Sequence, residues 1–489
     1  MRLNYILSAL SLVFIGFGAM LFLPAFVALY FRDFYSIIPF VTAGGISVIL
    51  GYFLKFICAE KQNFNDLRKK EGLFIVALTW LFISLISSIP YLFYGITPIN
   101  AFFEGVSGIT TTGATILTNF SQYPLALFFW RSFSQWLGGM GIIVLFIAIL
   151  PQFAVAGRQM FFAEAPGPTE DKITPRIKHT AVALWGIYFS LTLIEMILLK
   201  INGMRFFDAI CTSFSTISAG GFSPNPSSIA GYGNTHFIWI ITFFMFLAGV
   251  NFSLQYRTFI QRQFKSLINS TEFITYTIIF LGVSAFVALS LVLHNNYGIF
   301  NSIRESMFQV ISIMTSTGFA SVDFNEWSNN AKVFLFALML IGGSAGSAGG
   351  GIKVVRVIIV MKYLWREITM ILHPKTVMPI KLGKTTITDE ILKQIIAFVI
   401  FYFIILIISS ILVSLFEENL TIGIVGSAAT LGNVGPGFGA IGPFENFAEL
   451  TPLTKLIFAF NMLVGRLELI PFLAMLHSDF WKFSFKKEQ

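Results

Sequence analysis

Long apolar runs dominate the chain. A helix needs about 20 apolar residues to cross the hydrocarbon core of a bilayer. The runs at 5–30, 36–57, 72–95, 124–150, 180–200, 235–256, 272–294, 331–361, 391–416 and 452–477 reach that length. The first exceeds the apolar segment of a cleaved signal peptide and no small-residue cleavage site follows it, so it reads as a retained helix. Ten crossings put both termini on one side of the membrane. Four connections, at 96–123, 201–234, 295–330 and 417–451, are unlike ordinary loops. Each opens on a half-length, moderately apolar stretch ("INAFFEGVSGI", "RFFDAICTSFST", "SIRESMFQVISIM", "NLTIGIVGSAAT") and then turns small and polar. About ten residues cannot span a membrane as a helix, but they suit a re-entrant segment. Non-helical backbone at that depth is tolerated only where protein buries it or it lines a watery cavity.

The ends of the four half-length stretches align. They read Thr110-Thr111-Thr112-Gly113, Ser218-Ala219-Gly220-Gly221, Thr315-Ser316-Thr317-Gly318 and Gly432-Asn433-Val434-Gly435. One glycine recurs at the same place, at separations of 108, 97 and 117 residues, and self-similarity at a near-fixed period marks repeat architecture. The expected organisation is an all-α polytopic membrane protein: an N-terminal helix pair (1–60), then four pseudo-repeats of helix, pore loop and helix (72–151, 179–257, 271–361, 390–478) around a central pore. The third repeat has a broken second helix. Four loops facing one pore shelter one another. A monovalent cation in a narrow pore must exchange its water for other oxygens, and rings of backbone carbonyls supply them. Glycine allows the positive φ that turns a carbonyl inward, while Thr and Ser hydroxyls add oxygens without charge. A half-helix whose C-terminal end points at the cavity presents its negative dipole end to a cation. None of these residues is acidic, which disfavours a carboxylate-ring or divalent-ion channel.

Composition agrees with a membrane protein: 56% hydrophobic, 11% charged, mean hydropathy +0.79, against about 25% charged in an average soluble domain. The net charge of +8 raises the question of nucleic acid, and its distribution answers it. Lys61, Arg68, Lys69, Lys70, Arg158, Lys172, Arg176, Lys178, Arg257, Arg262, Lys265, Lys362, Arg366, Lys375, Lys381, Lys384, Lys482, Lys486 and Lys487 all fall on one side, whereas the four long connections hold only Arg205 and Arg304. By the positive-inside rule that side, with both termini, is cytoplasmic. No nucleic-acid partner is needed; the partner throughout is membrane lipid. Cys58 and Cys211 fall on opposite sides, too few and too far apart for a disulfide or a metal site.

Two features suggest a gate. The run at 331–361 is interrupted by "GGSAGSAGGG" (342–351), where Gly342, Gly343, Gly346, Gly349, Gly350 and Gly351 alternate only with Ala and Ser. Such a stretch has poor helix propensity and should unwind or flex; close helix packing by small residues is the alternative. A phosphate-binding loop is excluded, because Ile352 separates the last glycine from Lys353 and Val354 follows it. No nucleotide site is visible. Lys353 is either a positive flank or part of the gate. The last run carries Arg466 near its middle, where a charge is expensive and functional by default. An ion pair with Glu468 is the alternative, although residues two apart do not face each other on a helix. His179, His294 and His373 sit at run ends and read as solvated or interfacial. Arg131 reads as an interfacial anchor or, less simply, as part of an outer vestibule. Asn251 and Glu195 are candidates for hydrogen bonds between helices.

With these four signatures, the glycine-rich break, the "GR" of the last run and the N-terminal helix pair, the whole chain resembles the Trk/Ktr/HKT superfamily of potassium transporters, in particular its TrkH-type membrane subunits. The resemblance implies a K+ selectivity filter built from the sixteen residues of the four tetrads, with Gly113, Gly221, Gly318 and Gly435 shared. It implies a gate formed by the 342–351 loop and Arg466, the arginine opposing cation passage until the loop moves. It further implies a homodimer in a bacterial inner membrane and a cytoplasmic TrkA-type nucleotide-binding regulatory subunit docked on basic loops such as 151–178 and 362–390. Ala219 with Gly220, and Asn433 with Val434, depart from the Thr-rich pattern and make the filter asymmetric. A proton- or sodium-coupled potassium symporter is the alternative within transport; its midplane acidic residues on broken helices are mostly missing. A membrane-embedded enzyme would need a nucleophile and base, or HExxH-like ligands; neither is found.

Overall fold

The computed structural model describes residues 1–58, 68–148, 173–383, 385–467, 472, 475 and 477–481, with the side chains of 69, 140, 142–148, 173–181 and 479 outside this set. The basic residues at 61, 158, 172, 384, 482, 486 and 487, the loop at 149–172 and the possible pairing of Glu468 therefore lie outside the described residues.

The first two helices, α1 (Leu3–Tyr30) and α2 (Ile37–Ile57), form an antiparallel pair. Small residues set their approach. A Cβ on Gly18 would lie 2.9 Å from the Gly44 carbonyl oxygen, one on Gly51 would lie 2.9 Å from that of Ser11, and the Ser47 hydroxyl donates to the Phe14 carbonyl at 2.7 Å. Such close backbone approach is what small residues provide where lipid leaves no hydrophobic driving force between helices. The pair leans on α3 (Lys69–Leu92) and α5 (Leu125–Ala148).

Four units follow. The first comprises α3, the half-helix α4 (Pro98–Ile109) and α5. The second comprises α6 (Ile173–Ile201), half-helix α7 (Phe206–Ile217) and α8 (Thr235–Ala248). The third comprises α9 (Thr271–His294), half-helix α10 (Ile299–Met314) and α11 (Asn329–Leu340), continued after a break by α12 (Val354–Leu372). The last comprises α13 (Asp389–Glu417), a half-helix that starts as a π turn at Ile422–Gly426 and ends as α14 (Ser427–Leu431), and α15 (Pro452–Arg466). A two-stranded hairpin pairs Lys381 with Thr386 and Leu382 with Thr385 between α12 and α13.

The units interlock in a circle. Each half-helix packs on the inner helix of its own unit and on that of the unit before it: α4 on α5 and α15, α7 on α8 and α5, α10 on α11 and α8, α14 on α15 and α11. The cores cross unit boundaries accordingly. One joins Phe14, Val106 and Trp130 to Ile422 and Phe458, and another joins Ile238 to Ile311, Leu335 and Val434.

Two of the runs are interrupted among the described residues. Six described helices, α1, α2, α3, α6, α9 and α13, are individually long and apolar enough to span a membrane. The run at 235–256 breaks at 249–251, where α8 and the segment 252–260 meet at 100°. The Asn251 side chain caps the second piece through Ser253 N and Leu254 N, so its carbonyl oxygen serves a local turn rather than a neighbouring helix. The run at 331–361 divides between α11, of 12 residues, and α12. These inner helices are interrupted where the irregular loops occupy the centre.

Candidate functional site

All four half-helices end in the same backbone device. Thr111 N–H donates to Gly108 O and Thr112 N–H to Ser107 O, at 3.1 and 2.9 Å. The same pair of bonds recurs at Ala219 and Gly220, at Ser316 and Thr317, and at Asn433 and Val434, with lengths between 2.8 and 3.2 Å. This is the Schellman motif, which satisfies carbonyls left over at a helix end and needs a left-handed residue after the cap. That residue is Thr111, Ala219, Ser316 or Asn433, with φ of 54°, 55°, 57° and 54°. Left-handed backbone costs an L residue about 1–2 kcal/mol, and its repetition at non-glycine positions makes the four loops conformational copies. Two residues later comes the shared glycine, again left-handed: Gly113 at 81°, Gly221 at 78°, Gly318 at 78° and Gly435 at 94°.

The four glycines then close a ring. A Cβ on Gly113 would strike the carbonyl oxygen of Gly220. One on Gly221 would strike that of Thr317, one on Gly318 that of Val434, and one on Gly435 that of Thr112, each closer than 3.0 Å. Every glycine thus abuts the carbonyl just before the glycine of the next loop, and the fourth returns to the first. Thr110, Thr111, Thr112, Thr315, Thr317 and Asn433 are fully buried. The Thr110 and Thr112 hydroxyls pair at 2.8 Å, as do those of Thr315 and Thr317. In the fourth loop Gly432 and Val434 stand at those two positions, and Asn433 between them donates to the Thr112 hydroxyl at 3.0 Å and to the Met462 carbonyl at 2.9 Å. On one side of the ring a recess is lined by Gly113, Gly221, Gly318, Pro436 and Arg131, among others.

Arg131 is no interfacial anchor. It is 1% exposed and pairs with Glu104 at 2.9 Å, while its guanidinium lies 4.0 Å over the Phe222 ring. Glu104 also accepts from Ile116 N at 2.9 Å and from the Thr115 hydroxyl. The ion pair buttresses the first loop just beyond its glycine. Glu195 is fully buried on α6, with its carboxyl facing the Thr216 side chain of half-helix α7. His294 and His373 sit exposed at helix ends, and Cys58 and Cys211 are free, buried thiols.

The 342–351 segment fills the other side of the ring. Its base is pinched by Gly342 N donating to Ile352 O at 2.8 Å and Ile352 N to Leu340 O at 3.2 Å. Gly346 and Gly351 are left-handed, at 70° and 67°. The loop seats in the break at 249–251, with Ser344 N donating to Gly249 O at 2.9 Å and Phe252 N to Gly346 O at 3.2 Å. It also touches the ends of the third and fourth half-helices. A Cβ on Gly349 would lie 2.7 Å from Thr315 O, one on Gly350 would collide with Gly432 O, and Gly350 N donates to the Ser316 hydroxyl. Gly343 packs against Ser347 and Gly249. A side chain at most of these positions would push the loop away, a tighter requirement than flexibility alone.

Three charged side chains hold this loop. Arg466, 3% exposed, donates to the Ala348 carbonyl at 2.7 Å and to the Gly138 carbonyl at 3.5 Å. Lys353 is 6% exposed and its Nζ donates to the Gly349 carbonyl, so it belongs to the loop and is not a solvated flank. Glu272, at the start of α9, accepts from Ala345 N at 2.6 Å. Glu272, Glu104 and Gln135 were not singled out by the sequence. Their only signal there is a polar residue inside or beside an apolar run, which many structural residues share.

A ring of loops closed by glycine-to-carbonyl contacts, set among helices long and apolar enough to span a bilayer, belongs to a multi-pass membrane protein, and the comparisons with known proteins make it a transport protein. The family described as TrkH, cation transport protein, matches residues 36–481, and the chain belongs to it. The chain is 35% identical to the Trk system potassium uptake protein TrkH of Salmonella typhimurium over 487 residues, covering 99% of this chain and 100% of that one. It is 32% identical to the Trk system potassium uptake protein TrkG of Escherichia coli over 471 residues, covering 94% of each. The crystal structure of the potassium transporter TrkH from Vibrio parahaemolyticus superposes with a TM-score of 0.90 at 32% identity, covering 99% of this chain and 100% of that chain.

Proposed function

We propose that the chain carries potassium into a bacterial cell through a selectivity filter formed by the four tetrads, with the 342–351 loop and Arg466 as its gate. The observation that carries the reading is the closed circle of Gly113, Gly221, Gly318 and Gly435 against the carbonyls of the following loops. A cation shed of water needs oxygens at close and equal reach, and four conformationally matched carbonyl segments on one axis are suited to supply them. The relatives named as Trk system potassium uptake proteins favour potassium as the transported ion. Arg466 places a positive charge against the loop on one side of this ring, where it opposes a cation until the loop moves. The basic asymmetry of the connections favours cytoplasmic termini. In this reading the protein acts as a homodimer, and a TrkA-type nucleotide-binding subunit docks on the cytoplasmic face that includes 362–390.

The test is flux through the purified chain in liposomes, driven by a potassium gradient and then by a sodium gradient, for the wild type and Gly318→Ser. Passive, potassium-preferring flux that loses its preference in the variant is the expected result. Flux that requires an imposed proton or sodium gradient, or that is indifferent to Gly318, refutes the filter and favours a coupled symporter.

A further inference from the structure

The second loop lacks a side chain that the first and third possess. Where those carry Thr112 and Thr317, it carries Gly220. Gly220 is not one of the left-handed glycines, so its backbone conformation does not call for glycine. Space does. A Cβ there would lie 2.5 Å from Cδ, 2.6 Å from Oε1 and 2.9 Å from Nε2 of Gln135. Gln135 belongs to α5, the inner helix of the first unit, and is fully buried. Its amide is matched at both ends: Nε2 donates to Gly220 O at 2.6 Å, and Oε1 accepts from Phe222 N at 3.1 Å. Those partners flank Gly221, and Gly220 O is the carbonyl that seats against Gly113.

We propose that Gln135 is the missing side chain of the second loop, supplied by the neighbouring unit, and that it is a specificity-determining residue for the transported cation. The inference rests on the filter reading above and extends it to a residue outside the four tetrads. A carbonyl has two lone pairs. With one committed to Gln135, the other remains for an ion, and the carbonyl is held against swinging toward a smaller one. The number and field strength of such carbonyls govern discrimination between monovalent cations. A buried amide satisfied at both ends also rigidifies its partners. The first and third loops obtain stiffness from their own threonine pairs; the second obtains it in trans.

The experiment is the potassium-to-sodium permeability ratio, from potentials across liposomes holding the purified full chain. The variants are Gln135→Ala, Gln135→Leu, Gly220→Thr, Gln135→Ala with Gly220→Thr, and Gly318→Ser. Gln135→Leu keeps the volume and removes the hydrogen bonds, so it decides the matter even if the alanine variant does not fold. Loss of these two buried hydrogen bonds should lower the ratio by about fivefold or more in both Gln135 variants. Gly220→Thr should lower it as well, by collision with Gln135. The double variant should regain preference over either single, because the introduced hydroxyl falls beside Ser218 as that of Thr112 falls beside Thr110. A wild-type ratio in Gln135→Leu, or a double variant no better than its parents, overturns the inference. If Gly318→Ser loses preference while the Gln135 variants keep it, the filter stands and Gln135 is merely structural. If every variant keeps it, the filter reading falls too.

Discussion

Replacing Gly435 by alanine tests the ring at the point where the last loop meets the first. The added Cβ would press on Thr112 O, and it would lie 3.1 Å from Gly113 C and 3.2 Å from Ala114 N. All three neighbours are backbone, so no side-chain rotation relieves the contact. The φ of 94° adds strain whatever the space, about 1–2 kcal/mol for an L residue in left-handed backbone. Overpacking in a well-packed interior adds about 1–3 kcal/mol. A tenfold change in an equilibrium constant corresponds to roughly 1.4 kcal/mol. If even half of that strain, about 1–2.5 kcal/mol, reaches the ion site, potassium preference should fall about tenfold. The assay is the liposome permeability ratio, with thermal unfolding of the same preparations read alongside. Gly282→Ala is the control, since a Cβ at Gly282 on α9 meets nothing within 4 Å. Wild-type preference in Gly435→Ala, with the protein folded, would refute the claim that the four loops form one carbonyl ring.

Arg466→Ala removes a charge-assisted bond to Ala348 O, a type of interaction contributing about 1.5–3 kcal/mol; resting potassium flux should rise about tenfold or more, and unchanged flux would remove Arg466 from the gate. Glu272→Gln weakens the acceptor for Ala345 N and should raise resting flux by a smaller factor while leaving the permeability ratio alone, as read in the same liposomes. Arg131→Met leaves Glu104 buried without its cation, which costs about 3–5 kcal/mol for a broken buried pair. Thermal unfolding in detergent should show a marked drop, and Glu104→Gln combined with Arg131→Met should recover much of it.

Much of the architecture was legible in the chain itself. Spans can be read because lipid forces every backbone group to be satisfied within a helix, which leaves long apolar runs such as 389–417 as its trace. The fourfold register could be read because Gly113, Gly221, Gly318 and Gly435 each answer a local demand of the backbone, a left-handed φ that other residues resist. The glycine-rich break at 342–351 announced itself in the same way.

Other features depended on which loops meet, and no local pattern encodes that. The bend at 249–251 leaves only Gly249 and the capping Asn251 as its mark in an apolar run, and the 342–351 loop seats against it at Gly249 and Phe252. Arg131 and Glu104 are 27 residues apart in sequence, and only the packing of α4 on α5 turns two isolated charges into a buried pair. Gly220 looked like a departure from the threonine pattern because the side chain that fills its space comes from another unit. Local sequence determined the conformations of the four loops, since φ and helix capping are settled within a few residues. The tertiary structure alone decided their partners, because which carbonyl faces which glycine depends on how the units close around one axis.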